Sequence, residues 1–143
     1  MLSQKCKYAI RAVLHLAVHG SEGQKIPGRQ LAEALKIPVP YLSKILQELT
    51  LKQILSSVKG PNGGFYLTGK NLDTPLIKIV EAIDGLVFFE TCGLGLGDCS
   101  NDNPCPIHEE FQTSRDHLKN LFYSKSIGDL AGKIRSNGLM LVR

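Results

Sequence analysis

Three thiols and an imidazole fall within 17 positions in the segment Cys92-Gly-Leu-Gly-Leu-Gly-Asp-Cys99-Ser-Asn-Asp-Asn-Pro-Cys105-Pro-Ile-His108. Thiolates are soft donors that hold iron-sulfur clusters, and an imidazole can replace a thiolate on iron. Gly93, Gly95 and Gly97 free the backbone to wrap a cluster and to turn N–H groups toward sulfur. Zinc competes for the same donors. Its sites usually hold two cysteines about two to four residues apart, whereas six and five residues intervene here. A disulfide switch is a second alternative, and three unligated thiols in a loop are a third. Cys105 and His108 lie three apart at the mouth of an expected long helix, a spacing that puts both on one helical face.

The compartment bears on which chemistry is open to these thiols. No stretch approaches the roughly 18 consecutive apolar residues of a spanning helix, and MLSQKCKYAIRA has neither an apolar signal core nor a small-residue cleavage site. The expected location is the cytoplasm, with no membrane partner. Structural disulfides are rare in that reducing compartment, which leaves metal ligation or thiol redox chemistry for the clustered cysteines. Cys6 stands apart and reads as a small packing residue. His15, His19 and His117 read as surface or half-buried helix residues. With no Cys-x-x-Cys motif and no paired acid and base, the chain is not expected to be an enzyme.

Charge is divided unevenly along the 143 residues. Residues 1–70 hold ten Lys or Arg against three Glu, a net of +7, and residues 71–143 hold seven against ten acids, a net of −3. A basic half attracts a polyanion, and nucleic acid is the commonest one in a cell.

The elements of that basic half are three helices followed by a hairpin. Ser3 caps a helix over roughly residues 4–19, with Ala9, Ala12, Val13, Leu16 and Ala17 at helical spacing and a stop at Gly20. After a loop from Ser21 to Pro27, Leu31, Ala32 and Leu35 mark a short second helix. A break at Pro38-Val39-Pro40 follows, with Pro40 suited to the first turn of a third helix. Leu42, Ile45, Leu46 and Leu49 face the core from it, and Tyr41, Ser43, Lys44 and Gln47 face outward. Two short helices joined by a tight break fit a helix-turn-helix. Residues 55–68 then read as a β-hairpin whose turn is almost entirely Gly, Pro and Asn. A basic hairpin after a recognition helix is a wing, and Lys59, Gly60 and Asn62 lie at its tip.

A further short helix is expected over residues 75–84, ended at Gly85. A long helix is expected from Pro106, with Ile107, Phe111, Leu118, Leu121 and Phe122 as its stripe and Glu109 and Glu110 favouring its dipole. Its wide apolar face suits either packing on the domain or pairing with a second copy across a two-fold axis, and a regulator that reads a palindrome needs a dimer. A last short helix runs from about Ile127 to Ile134, and Asn137-Gly138 ends regular structure. The expected fold is mainly α with a small β-hairpin, a winged helix-turn-helix plus a long dimerisation helix. Its divisions are a DNA-binding domain (1–85), a cysteine-containing sensor loop (86–105), and a dimerisation helix with C-terminal tail (106–143).

The opening LSQKCKYAIRAVLHLA, the IPVPYLSKILQEL helix, the VKGPNGGFYL hairpin and the three-cysteine loop together resemble the IscR/NsrR (Rrf-two) family of winged-helix transcription regulators, from Leu2 to about Leu130. The resemblance implies a homodimer on a partly palindromic double-stranded DNA operator, sensing iron-sulfur, nitric oxide or redox status. It carries DNA contacts over to Pro40, Tyr41, Ser43, Lys44 and Lys59, to which the outward face adds Gln47 and the wing tip Gly60 and Asn62. It implies an iron-sulfur cluster on Cys92, Cys99 and Cys105, with His108 favouring [2Fe-2S] over [4Fe-4S]. In some members the partner subunit's N-terminal helix supplies a ligand, which makes Cys6 a candidate for a fourth position. A member without a cluster, responding to a partner protein or to thiol oxidation, is the alternative. The chain departs from the family pattern at Pro38, where a Ser cap is usual, at Lys59, where Arg is more frequent, and at Gln53, a helix-ending site that is often Gly. Lys lacks the planar two-pronged donor of Arg, so Lys59 is expected to meet phosphate charge rather than a base.

Overall fold

A computed structural model describes residues 1–143. Helix α1 (Gln4–His19) starts where Ser3 Oγ accepts the Cys6 N–H at 3.0 Å and buries Ala9, Ala12, Val13, Leu16 and Ala17. The Asp84 carboxylate accepts from both the N–H and the hydroxyl of Ser3, which ties this cap to the far end of the core. Helix α2 (Gly28–Leu35) ends at Lys36, whose left-handed φ of 56° turns the chain. Helix α3 (Val39–Leu51) opens with Pro40 in its first turn and seats Leu42, Ile45, Leu46 and Leu49 in the core. Pro is tolerated there because that N–H has no intrahelical partner to lose. These helices form the helix-turn-helix expected from the sequence.

Strands β1 (Ser56–Val58) and β2 (Gly64–Tyr66) form an antiparallel hairpin in register Ser57↔Phe65. Ile26 adds a third, one-residue strand: its N–H donates to Phe65 O at 3.0 Å and its carbonyl accepts from Phe65 N at 2.9 Å. The wing is thereby fastened to the segment that leads into α2.

The single turn α4 (Gly69–Leu72) was not expected from the sequence. Thr68 and Asn71 form a reciprocal cap over it, a device that the Thr-x-x-Asn spacing could have disclosed. Helix α5 (Ile77–Ile83) packs against α1 and α3, and a 3-10 turn (Val87–Phe89) leads into the cysteine loop.

Residues 106–143 divide structurally. Helix α6 (His108–Ser124) buries only His108, Arg115 and Phe122, a stripe that repeats every seven residues, while Leu121 and Tyr123 stay exposed. Helix α7 (Ile127–Asn137) returns along α1, places Ile127 and Ala131 in the common core, and ends at Gly138 with a φ of 57°. Arg135 fastens it by donating to the carbonyls of Ala17 and Val18 at 2.7 and 3.0 Å.

One expectation is corrected here. Cys105 and His108 do not share a helical face, because α6 begins at His108 and Cys105 precedes its cap. A residue ahead of proline is disfavoured in the α region, and Pro106 holds Cys105 out of the helix. The His108 N–H instead donates to Cys105 O at 3.0 Å, closing a turn.

Candidate DNA-binding face and cysteine site

The buried stripe of α3 fixes which of its side chains face out. Pro40, Tyr41, Lys44 and Gln47 are exposed, and Ser43 is half-buried. Glu48, the one acid on α3, is paired with Lys5 of α1 at 2.6 Å, so its charge is partly offset on the face that holds Lys44. Tyr41 stands edge-on to Tyr8, with ring centroids 5.6 Å apart. Tyr8 is half-buried, packed against the edge of the core.

The wing tip, Lys59 to Asn62, is exposed. An open groove of about 590 Å³ runs between α3 and the wing, lined in part by Gln47, Leu51, Lys59, Gly60 and Gly63. The tip is close-packed beneath: a Cβ on Gly63 would lie 2.1 Å from the Val58 carbonyl oxygen. At the wing's base, buried Asn71 was missed by sequence reasoning. Its Oδ1 accepts from Thr68 N at 2.9 Å and Ser56 Oγ at 3.2 Å, and its Nδ2 donates to Gln53 O at 3.1 Å. One amide thus joins the segment after α3 to β1 and to the residue that caps α4. Gln53 itself carries a left-handed φ of 60°, which explains why glycine suits that site.

The cysteine loop is a folded unit. Thr91 bridges Asp98, Cys92 N–H donates to Gly97 O at 2.8 Å, and Cys99 N–H donates to Glu90 O at 3.1 Å. Gly95 and Gly97 take the positive φ values, 74° and 89°, that this tight path demands. Gly93 is needed for space, since a Cβ there would lie 2.7 Å from the Phe111 ring of α6.

One thiol meets the imidazole. The Cys99 Sγ lies 3.4 Å from His108 Nδ1, and His108 Nε2 lies 2.7 Å from Asn101 Oδ1. Backbone N–H groups of Leu96 and Leu94 hold the Cys92 thiol below its ordinary pKa. For Cys105 the Ile107 N–H acts in the same sense, but burial and the neighbouring Cys92 and Cys99 outweigh it and raise the thiol. No three His, Cys, Asp or Glu side chains converge at ligand distance. All four cysteines are free thiols.

Two observations fit these residues to a thiolate-bound metal group. Three thiols and an imidazole are the donor set that such a group takes. Buried Arg115 brings a cation to the loop, with Nη1 donating to Thr91 O at 3.1 Å and Nε left without a partner. A buried cation without a full set of partners favours an anionic neighbour.

Cys6 stands apart from the loop. It is fully buried in α1, and burial, with the neighbouring Asp84 carboxylate, pushes its thiol up to about 12. A buried, protonated thiol fits the packing role expected of it. His15 is half-buried and His19 and His117 are exposed, as expected. No helix is long and apolar enough to cross a membrane.

Comparison with known proteins follows the same division. The family model Rrf2, described as "Iron-dependent Transcriptional regulator", matches residues 2–133. An HTH-type transcriptional regulator of Aquifex aeolicus (strain VF5) is 31% identical over 132 residues, covering 91% of this chain and 90% of that protein. The HTH-type transcriptional regulator IscR of Escherichia coli is 30% identical over 130 residues, covering 90% and 78%. Among solved structures, CymR, the global cysteine regulator of B. subtilis, superposes with a TM-score of 0.76 at 20% identity, covering 93% of this chain and 97% of that one. IscR from T. potens gives 0.75 at 17% identity, covering 98% and 92%. The helix-turn-helix, the docked wing and the extent of these matches make the chain a member of the Rrf2 family, a DNA-binding transcriptional regulator and not an enzyme.

Proposed function

We propose that the protein is a homodimer that grips duplex DNA through α3 and the wing, and that an iron-sulfur cluster on Cys92, Cys99, Cys105 and His108 sets its operator affinity. The observation that carries the sensing half is the 3.4 Å approach of Cys99 to His108. His108 favours a [2Fe-2S] group over [4Fe-4S]. When bound, such a cluster supplies a cross-link between loop segments and a centre reactive toward oxidants and nitric oxide.

The chain's own residues supply the rest. Gly95 and Gly97 hold the loop closed, and Phe111 seated against Gly93 couples it to α6. Ile107, Phe111, Ser114, Leu118 and Leu121 follow one another at alternating spacings of four and three, the pattern of a helix that pairs with its like. Phe122 is committed to the chain's own core, whereas Ile107 and Leu121 are exposed. A second copy seated on this seam sets the spacing of the two DNA-binding heads. Loop geometry would shift that spacing only if the cluster has unequal affinity for the two arrangements. Under this reading residues 1–85 are the DNA-binding domain, 86–105 the sensor loop and 106–143 the dimerisation helix and tail. Pro40, Tyr41, Ser43, Lys44, Gln47, Lys59, Gly60 and Asn62 are the DNA-facing set.

The sensing test is anaerobic reconstitution. A visible charge-transfer spectrum that Cys99→Ala abolishes, with operator affinity differing between metal-free and loaded protein, supports the reading; a colourless protein holding two zinc ions per dimer sinks it. For DNA, Lys44→Ala and Lys59→Ala should each lower the salt slope by about 0.9 per protomer if each lysine meets one phosphate. Slopes unchanged by both remove those roles. The free Cys92 thiol, held below its ordinary pKa by the Leu96 and Leu94 N–H groups in a loop with two further free thiols, favours a second reading, a thiol switch in cluster-free protein. There Cys92 and a second loop thiol would give two electrons and two protons to hydrogen peroxide, forming one disulfide and two waters.

A further inference from the structure

The contacts of His108 do more than place it near a thiol. Asn101 presents its amide oxygen to Nε2 at 2.7 Å, and an amide oxygen only accepts hydrogen bonds. Nε2 must therefore carry the ring proton in the neutral imidazole. Nδ1 is then the nitrogen with the free lone pair, and it is the one that faces Cys99 Sγ. The ring is buried at the start of α6, so the two contacts on its opposite sides define its orientation.

The Cys99 contact has a second meaning. Two ligands of one tetrahedral ion, with metal–sulfur and metal–nitrogen bonds of about 2.3 and 2.0–2.1 Å, stand about 3.6 Å apart. The observed separation is 3.4 Å. Cys99 and His108 stand within a few tenths of an ångström of the spacing two ligands of one ion would need.

We infer that Asn101 is a positioning residue that fixes the His108 tautomer, so that Nδ1, the nitrogen facing Cys99, is the one that would meet a metal. This rests on the cluster reading above, but its tautomer half is testable without any metal. Groups that donate to or accept from the free nitrogen of a ligating imidazole set its orientation and basicity, and losing one typically costs about 10- to 100-fold in metal affinity.

The test has two arms on the full-length protein. In metal-free, ¹⁵N-labelled protein, two-bond ¹H–¹⁵N spectra assign the His108 tautomer. The expected result is Nε2–H in the parent, a mixture in Asn101→Ala, recovery of Nε2–H in Asn101→Asp, which keeps an acceptor oxygen, and no change in Asn103→Ala. An Nδ1–H ring in the parent, or a tautomer indifferent to Asn101→Ala, overturns the inference even if a cluster forms. In anaerobically reconstituted and reduced protein carrying histidine labelled at Nδ1 alone, the strong electron–nitrogen coupling should come from the labelled position. Asn101→Ala should then weaken iron retention against a chelator by about 10-fold or more. Coupling from Nε2 overturns the metal half while the cluster reading survives. A protein with the Nε2–H tautomer that assembles no cluster overturns the cluster reading and the metal half together.

Discussion

Replacing Gly64 with alanine should detach the wing from the head without unfolding the protein. A Cβ at Gly64 would stand 2.7 Å from the carbonyl carbon and oxygen of Ile26 and 2.9 Å from the Pro27 nitrogen. The obstacle is backbone, stiffened by Pro27 just ahead of α2, so β2 must withdraw. Withdrawal breaks the two bonds between Ile26 and Phe65, at 3.0 and 2.9 Å. Each is worth about 1 kcal/mol net because water can take over both partners at this edge. Loosening the half-buried Phe65 ring adds about 1 kcal/mol, for a total of about 2–3 kcal/mol. A domain this size typically has about 5–15 kcal/mol in hand, so the fold survives. Urea titration should show a lower midpoint at unchanged slope, with faster hydrogen exchange at the Ile26 and Phe65 amides. Operator binding should lose the Lys59 share of the salt slope and keep the Lys44 share. Gly69→Ala is the control, since nothing lies within 4 Å of its added methyl. Gly64→Ala protein with parental stability and protected Ile26 and Phe65 amides would refute the docking argument.

Three other outcomes follow from single residues. The Cys6 thiol is raised from its ordinary 9.0 to about 12, so the folded state keeps its proton where the unfolded chain has lost it. Its contribution is complete below about pH 9 and is lost as pH climbs toward 12. Cys6→Ala should therefore flatten the alkaline fall in stability, and identical alkaline slopes in the two proteins would exclude this role. Gln53→Gly relieves the left-handed φ of 60° and should stabilise by about 0.5–1 kcal/mol after the greater freedom of the unfolded glycine is counted. A lower thermal midpoint in that variant would mean the side chain contributes more than the backbone conformation costs. Arg115→Met removes a buried cation whose Nε has no partner, so the metal-free protein should hold or gain stability. The same change should make a bound cluster easier to lose and its reduction potential more negative, and an unchanged potential would separate Arg115 from the site.

Local patterns carried most of the head. The spacing of Ala9 to Ala17 and of Leu42 to Leu49, and the Gly-Pro-Asn turn of the wing, act over a few residues, so helix, recognition face and hairpin were legible before folding. The helix starting at Gly69 was not, because its Thr68–Asn71 cap gains its full meaning only when Asn71 reaches Ser56 and Gln53 across the core. Pro106 was visible in the chain, yet its effect on Cys105 was overlooked in favour of three-residue helical spacing.

The cysteine loop marks the boundary most sharply. Residue type and interval singled out Cys92, Cys99, Cys105 and His108 as neighbours in the chain. Which thiol faces the imidazole, and that Asn101 reaches the ring and Arg115 the loop, depended on loop closure and on α6 meeting the loop. Likewise the apolar stripe of α6 was apparent in the chain, but its division into a buried Phe122 and an exposed Leu121 came from where neighbouring elements pack. Periodicity and turn chemistry are written in consecutive residues, whereas partners brought together from distant positions are chosen by packing that no short window contains.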